Sequence, residues 1–310
     1  MKRIANTVAV VILGLAAGTV QAAEHEVLGE HVDILSNETA ALFDPASKRP
    51  VRGSVEPARM VRAKGWDWDH QVRVYLPPSY HHTDRHYPTL WVTDNTLEMM
   101  QGALSGDALG FTPELIVVAV GPPRDVNPAE FQRRRSWDFI PDKSLMGPMF
   151  ASMPDGMVGG APGFLDFLVN QLRPMLAKDY RLDLDDQGYA GHSGGGQFGL
   201  YVLLNKPESF HKYIISSPAA YETWLAMEEH WYENNKDLNA KVFMSAGEAE
   251  GTHPIWASSQ ILSTVATMAE RLSVRNYPSL ELTVKIFPDE DHLTVTPMAY
   301  TRGIRVLWSN

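Results

Sequence analysis

From about residue 60 onward, apolar positions recur in two patterns that separate strands from helices. Strands buried on both faces appear as short apolar runs bounded by turn residues, and half-buried strands alternate apolar and polar positions. Helices place apolar residues three and four positions apart. The predicted strands are the segments 70–78, 87–95, 114–123, 185–193, 211–218, 239–247 and 279–292.

The helical pattern lies between these strands. It predicts helices over the segments 161–180, 196–205, 258–274 and 297–308. Pro174 falls inside the first of them, where its missing amide hydrogen should break or kink the helix. Because strands that alternate with helices form βαβ units, the chain is predicted to be an α/β protein. Its central sheet should be mostly parallel, with helices on both faces.

The amino-terminal residues follow another pattern. Lys2 and Arg3 precede the apolar run VAVVILGLAA, and small residues follow it, as in a secretory signal peptide cleaved after Ala22 or Ala23. An uncleaved anchor or a buried helix is the alternative. We divide the chain into a signal peptide (1–22), an N-terminal arm (23–60) and a main domain (61–310). A periplasmic or secreted protein is expected, with no stable membrane span after cleavage.

Charge and composition argue against several classes of function, among them nucleic-acid binding and cysteine-based catalysis. The chain has 310 residues, a net charge of −10 and no cysteine. Without a basic stripe, this charge argues against a nucleic-acid partner. The longest basic run, Arg133 to Arg135, is short and is expected in a polar loop. The lack of cysteine excludes a disulfide framework and a thiol nucleophile.

The segment GHSGG, residues 191–195, matches the pattern G-x-S-x-G. It lies between a predicted strand and a predicted helix, where a tight turn can project a serine hydroxyl from a sheet. Gly191 and Gly195 would relieve crowding in that turn. Ser193 is therefore a candidate nucleophile, and the amide of Gly194 is a candidate oxyanion donor. A glycine turn with Ser193 as an ordinary helix cap is the alternative.

A serine nucleophile needs a base to take its proton and a carboxylate to orient that base. In this architecture the acid and then the histidine follow the serine along the chain. His292, after the last predicted strand, is the candidate base. Glu248 and Glu250 follow the strand 239–247 and are both candidate acids. Alternation cannot separate them, because residues two apart point the same way.

From about residue 70 to its end, the chain resembles the putative-esterase family of α/β-hydrolases. That family includes feruloyl esterases, S-formylglutathione hydrolase and siderophore trilactone esterases. The matching segments are YPTLWVTDN, RRRSWDFIP, GGAPGFLDFLVNQLRPMLAKDYRLD, GHSGGGQFGLYVLLNKPESFHKYIISSPA, SAGEAEG and FPDEDH. The resemblance implies an α/β-hydrolase catalytic domain over residues 61–310 and a serine esterase activity.

The resemblance also implies two parts of the site. The family commonly places its acid three residues after the glycine that ends the strand, which favours Glu250, three residues after Gly247. Its second oxyanion donor comes from the loop after the third strand, which here implies Asn95 or Thr96.

A segment similar to residues 135–141 precedes the serine in periplasmic siderophore esterases. This similarity implies that Arg135 and Trp137 contact substrate, with the arginine binding an anionic catecholate. The alternative is a surface loop in which Arg135 pairs with Asp138.

Together these observations predict an exported serine esterase for a small-molecule ester. A siderophore trilactone is one substrate class, and feruloyl or acetyl groups on polysaccharide are another. A non-catalytic binding protein on the same scaffold is the remaining alternative. The segments HHTDRH (81–86) and EEHWYE (228–233) lack zinc-motif spacing, so neither a metal nor another cofactor is expected.

Overall fold

The computed structural model describes residues 53–94, 96–107, 110, 112–142, 156–219 and 221–308. The predicted signal peptide and most of the predicted arm lie outside these residues. Across the described part of the chain, we find no helix with the length and apolar character needed to traverse a bilayer.

The described residues form one nine-stranded sheet. Its strands are β1 (Ser54–Val55), β2 (Arg59–Arg62), β3 (Asp69–Leu76), β4 (Tyr87–Thr93), β5 (Ile116–Gly121), β6 (Leu182–His192), β7 (Lys212–Ser216), β8 (Ala240–Gly247) and β9 (Leu280–Phe287). Across the sheet they are ordered β1-β3-β5-β4-β6-β7-β8-β9, and β2 also pairs with β3. β3 runs antiparallel to β1, β2 and β5, and the remaining pairings are parallel. The predicted mostly parallel sheet is confirmed.

Helices cover both faces of this sheet, as predicted. They are α1 (Gln101–Asp107), α2 (Pro128–Phe139), α3 (Ala161–Asp166), α4 (Arg173–Leu176), α5 (Gly194–Leu203), α6 (Tyr221–Asn234), α7 (Pro254–Ser258), α8 (Ile261–Arg275) and α9 (Val295–Trp308). One apolar core lies between the sheet and helices that include α3, α5, α6 and α8. A second core on the other face is closed by α1 and α9. Burial of apolar surface in both layers holds the sheet between them.

The helix predicted over residues 161–180 is present but changes its winding. α3 passes into a π-helical segment, Phe167–Leu172, and then into α4. Pro174 lies in the first turn of α4. Its ring crowds the carbonyl four residues earlier and it lacks an amide hydrogen, so the wider turn that precedes it accommodates the proline.

The prediction of a polar loop around Arg133 to Arg135 is wrong, because residues 128–139 form the helix α2. Its amino end is capped by Asn127, whose side chain accepts a hydrogen bond from the amide of Glu130. The buried positions of α2 include the polar Ser136 and Asp138. The apolar spacing that identifies a helix from sequence is therefore missing.

β1 and the first two residues of β2 lie in the segment predicted as the arm (23–60), and both strands pair with β3. In the rest of the sheet, β4 and β6 to β9 are neighbours and run parallel, so their carboxyl ends lie at the same edge of the sheet. Ligand sites of open α/β sheets lie at this edge.

Candidate active site

Ser193 lies in the turn between β6 and α5 with backbone angles φ 57° and ψ −119°. A non-glycine residue in this region costs about 1–3 kcal/mol, so the surrounding structure must hold it there. Its amide donates to the carbonyl of Ser216 at 2.9 Å, which ties the turn to the end of β7. This is the sharp strand-to-helix turn that projects a serine side chain from a sheet edge.

The glycines on either side of Ser193 make this turn possible. A β-carbon at Gly191 would overlap the carbonyl of Gly195, and one at Gly195 would overlap the hydroxyl of Thr93. The hydroxyl of Tyr189, on β6, donates to the Gly195 carbonyl at 2.6 Å and helps to hold the same turn in place. Larger residues at either position would displace the serine.

His292 and Glu250 come together from different loops at the carboxyl edge of the sheet. Nδ1 of His292 lies 2.5 Å from Oε1 of Glu250, and both side chains are buried. The second carboxylate oxygen accepts from the Gly247 amide at 2.8 Å and from the Ser217 hydroxyl at 2.9 Å. Because a carboxylate only accepts, Nδ1 carries the proton and Nε2 is left to accept one.

Glu248 takes no part in this contact. Its side chain is exposed, and its carboxylate accepts from the amide of Asp289 at 3.3 Å. The structure thus separates the two candidate acids: Glu250 turns inward within the 3-10 turn Glu248–Gly251, and Glu248 turns outward.

Ser193, Gly194 and His292 line one pocket of about 520 Å³. The other lining residues are Gln132, Arg135, Ser136, Phe139, Ile140, His192, Gln197, Ala219, Ile255, Trp256, Ser259, Ile261 and Leu293. One wall of the pocket comes from α2, and another comes from α7 and the start of α8. A hydroxyl, an imidazole and a backbone amide at a helix start therefore adjoin the same space.

A family model described as "Putative esterase" matches residues 63–292 of the chain. The chain belongs to this esterase family. The matched segment contains every described residue that the sequence predicted for the site, from Thr96 to His292.

Two curated relatives in the family are siderophore esterases by name. Ferri-bacillibactin esterase BesA of Bacillus subtilis is 33% identical over 165 residues, which are 49% of this chain and 54% of BesA. Siderophore triacetylfusarinine C esterase of Aspergillus fumigatus is 29% identical over 218 residues, which are 63% of this chain and 71% of that protein. The chain thus spans about half the length of BesA.

A solved structure shows the same architecture. Siderophore hydrolase EstA from Aspergillus nidulans matches with a TM-score of 0.70 at 22% identity, over 86% of this chain and 96% of EstA. This likeness establishes the α/β-hydrolase fold that was expected from the sequence.

Arg135 of this esterase-family protein lies on the α2 wall of the pocket. Its Nε and Nη2 donate to the two carboxylate oxygens of Asp94 at 2.7 and 2.8 Å, and its guanidinium lies against Gly194. Burial lowers the pKa of Arg135, but the Asp94 carboxylate outweighs burial and raises it overall. The alternative in which Arg135 pairs with Asp138 is wrong, because Asp138 is buried and pairs with His70 instead.

Two further sequence candidates, Trp137 and Thr96, do not line the pocket. The indole of Trp137 packs edge-on against Trp66 and Trp68, with ring centroids 6.4 and 6.3 Å apart, rather than on the pocket. The hydroxyl of Thr96 donates to the carbonyl of Thr93 at 3.0 Å, and among the described residues Thr96 is not part of the pocket lining. Asn95 lies outside the described residues.

Sequence reasoning missed the side chains packed around His292. The indole of Trp256 stacks on its ring with centroids 3.9 Å apart and planes at 22°. The ring of His192 lies 4.5 Å away at 48°, with its Nδ1 3.0 Å from the Ser216 hydroxyl. His192 lies within the G-x-S-x-G motif itself, but no pattern in the sequence indicated that it or Trp256 would pack against His292.

His192 is neutral near pH 7. Burial first, and then the neighbouring His292 and Arg135, lower its pKa well below the usual range. A neutral ring at this position avoids charge repulsion with His292 when that side chain takes up a proton.

The histidine-rich segments considered for a metal are dispersed on the surface. His81, His82, His86 and His230 are all exposed. Within the described residues, no three or more histidine, aspartate or glutamate side chains are grouped so that they could hold a metal ion.

Proposed function

We propose that this chain is an exported serine esterase that hydrolyses carboxylic esters through an acyl-enzyme. Ser193 is the nucleophile, His292 is the general base and Glu250 orients the base. The observation that supports this assignment most is that Ser193, in its strained turn, and His292, hydrogen-bonded to Glu250, line the same pocket. The predicted signal peptide is the basis for export.

In the acylation step, Nε2 of His292 takes the proton from the Ser193 hydroxyl as its oxygen attacks the ester carbonyl. The carbonyl oxygen becomes an oxyanion near the amide of Gly194 and the amino end of α5, where the helix dipole favours negative charge. The imidazolium then gives its proton to the departing alcohol oxygen. Glu250 stabilises that imidazolium through Nδ1 and remains ionised throughout.

In the deacylation step, water replaces the alcohol. His292 takes a proton from the water, the hydroxide oxygen attacks the acyl carbonyl, and the proton returns to Ser193 as the acid product leaves. Each half of the cycle uses the same base and the same oxyanion donor. The second oxyanion amide is assigned to the loop at Asn95 or Thr96, as the family resemblance implies.

For the substrate, we infer an ester of a siderophore. The names of BesA and of the triacetylfusarinine C esterase support this inference. The pocket also suits a substrate with both polar and apolar groups, because α2 presents Arg135 and Gln132 whereas α7 presents Ile255 and Trp256. Arg135 adds a guanidinium to the wall beside the reacting centre, and its charge is balanced there by the Asp94 carboxylate, so this wall is polar without a net positive charge.

The function is tested by Ser193→Ala. We expect turnover of p-nitrophenyl butyrate to fall by at least about 10⁴-fold with an unchanged circular dichroism spectrum, since removing a serine nucleophile costs up to about 10⁶ in kcat. A fluorophosphonate probe should label Ser193 in the wild type and nothing in the variant. Ser273→Ala, at an exposed serine on α8, is the matched control and should retain full activity. A Ser193→Ala variant that keeps most of its turnover would exclude Ser193 as the nucleophile.

The substrate is tested by a panel that contains apo and ferric catecholate trilactones, feruloyl esters and acetylated sugars. A trilactone with the highest kcat/KM supports the siderophore assignment. Preference for feruloyl or acetyl esters would replace it, and a folded protein without turnover on any ester would indicate a binding protein.

A further inference from the structure

The imidazole of His292 is in contact with two other rings. Trp256, on the short helix α7, stacks on it at 3.9 Å with the planes inclined by 22°. His192, at the end of β6, lies 4.5 Å away with its plane at 48°. The near-parallel stacking places the face of the indole, rather than its edge, against the imidazole.

The charge of His292 changes during the proposed reaction, which makes this stacking relevant to the rate. The face of an indole carries negative charge from its ring quadrupole and attracts a cation within about 6 Å of the centroid. When His292 has taken the serine proton, its positive charge lies directly over that face. The neutral imidazole before proton transfer gains much less from the same contact.

The remaining contacts of the ring do not replace this interaction. Glu250 contacts only the Nδ1 edge of His292. His192 is held by the Ser216 hydroxyl and is neutral, so it adds no attraction for a cation comparable with that of an indole. Among the described residues whose rings contact His292, Trp256 is thus the one that can distinguish imidazolium from imidazole through the face of the ring.

We propose that Trp256 is a positioning residue for His292, whose indole face aligns the imidazole and stabilises it in its protonated form during acyl transfer. This inference rests on the proposed serine esterase function. Trp256 also lines the pocket, so its effect on the base must be separated from any effect on substrate binding.

The test compares Trp256→Leu with Trp256→Phe, using p-nitrophenyl acetate, whose small acyl group makes little use of the pocket walls. Trp256→Leu should lower kcat about 5- to 30-fold with little change in KM. The acid limb of the kcat/KM profile should move to lower pH, because the protonated base has lost a stabilising contact. Trp256→Phe keeps an aromatic face and should recover most of the rate.

Three comparisons keep this test decisive. Trp231→Leu, at a half-buried tryptophan on α6 away from the pocket, should leave the pH profile unchanged. Site-specific fluorinated tryptophan at position 256 keeps the shape but weakens the π face, so kcat should fall with each added fluorine even if Trp256→Leu folds poorly. Ser193→Ala is assayed alongside, since turnover there would reject the esterase mechanism itself.

Equal kcat and identical pH profiles for Trp256→Leu and Trp256→Phe, or insensitivity to fluorination, would overturn the inference while leaving the mechanism intact. A change confined to KM would make Trp256 a wall of the pocket only.

Discussion

Two buried histidine–carboxylate pairs lie in the described part of the chain, and they differ in what surrounds the second ring nitrogen. His292 contacts Glu250 at 2.5 Å, and His70 contacts Asp138 at 3.0 Å. All four side chains are buried or nearly so. Judged by the contact alone, both pairs resemble the histidine and the acid of a catalytic triad.

The environments of the two pairs are opposite. His70 lies among the rings of Trp66, Phe164 and Phe167, and its Nδ1 has no hydrogen-bond partner among the described residues. His292 instead lines the pocket that Ser193 also lines. A histidine–carboxylate contact is therefore no mark of catalysis by itself. The second nitrogen must face a space that a substrate and a nucleophile can reach.

The pair His70–Asp138 has a structural role instead of a catalytic one. It joins β3 to α2, the helix that carries Arg135 on its pocket side. Burial raises the pKa of Asp138, and the interaction with His70 only partly offsets it. Removing one member leaves the other uncompensated in an apolar site, which is costly.

The largest expected effect is at the first pair. Glu250→Gln keeps the shape of the side chain but removes the charge that stabilises the imidazolium and the acceptor that selects its tautomer. We expect kcat to fall about 10³- to 10⁴-fold, with a small change in the urea midpoint. Glu248→Gln, two residues away and exposed, is the control and should match the wild type. If Glu248→Gln is the damaging variant, the assignment of the acid is reversed.

The second pair should respond in the opposite way. Asp138→Ala leaves His70 buried without its partner, so the free energy of unfolding should fall by about 3 kcal/mol in urea titration. Activity per folded molecule should stay within about threefold of the wild type, since neither residue lines the pocket. A loss of kcat comparable with that of Glu250→Gln would show that the two pairs are functionally coupled.

The smallest expected effect concerns His192, a partly buried histidine with no carboxylate partner of its own in the described residues. Its folded pKa lies below the unfolded value of 6.5, so below about pH 6.5 the unfolded chain binds more protons. The free energy of unfolding should therefore decrease on acidification, by at most about 1.4 kcal/mol per pH unit. His192→Asn should show a shallower dependence between pH 6.5 and 5, and the exposed-site control His211→Asn should not. Identical slopes for all three proteins would contradict a lowered pKa of His192 in the folded protein.

Sequence patterning succeeded where local rules decide the structure. The strands β3 to β9 and the helix α5 were predicted because burial on two faces, turn residues and helical spacing leave direct traces in the chain. The helix α2 was missed because its buried side includes Ser136 and Asp138, which have no apolar periodicity.

For the site too, the residues that belong to a local pattern could be predicted, whereas contacts between distant segments could not. Ser193 and His292 became candidates from a motif in its strand-to-helix setting and from the order of elements, and their catalytic roles stay predictions. The contact of Arg135 with Asp94 was not foreseen, because the two residues are far apart in sequence and meet only when α2 packs beside the end of β4.

By itself, the sequence determined the α/β architecture and the strained turn around Ser193, because both follow from periodicity and from the steric needs of neighbouring residues. Tertiary structure alone placed Trp256 against His292 and buried His70 with Asp138 away from any pocket. It also set Glu250 inward and Glu248 outward, an orientation that family resemblance had favoured but that strand alternation could not supply. Such contacts depend on how separate loops and helices pack at the edge of the sheet. This packing is set by residues throughout the chain, so no single segment predicts it.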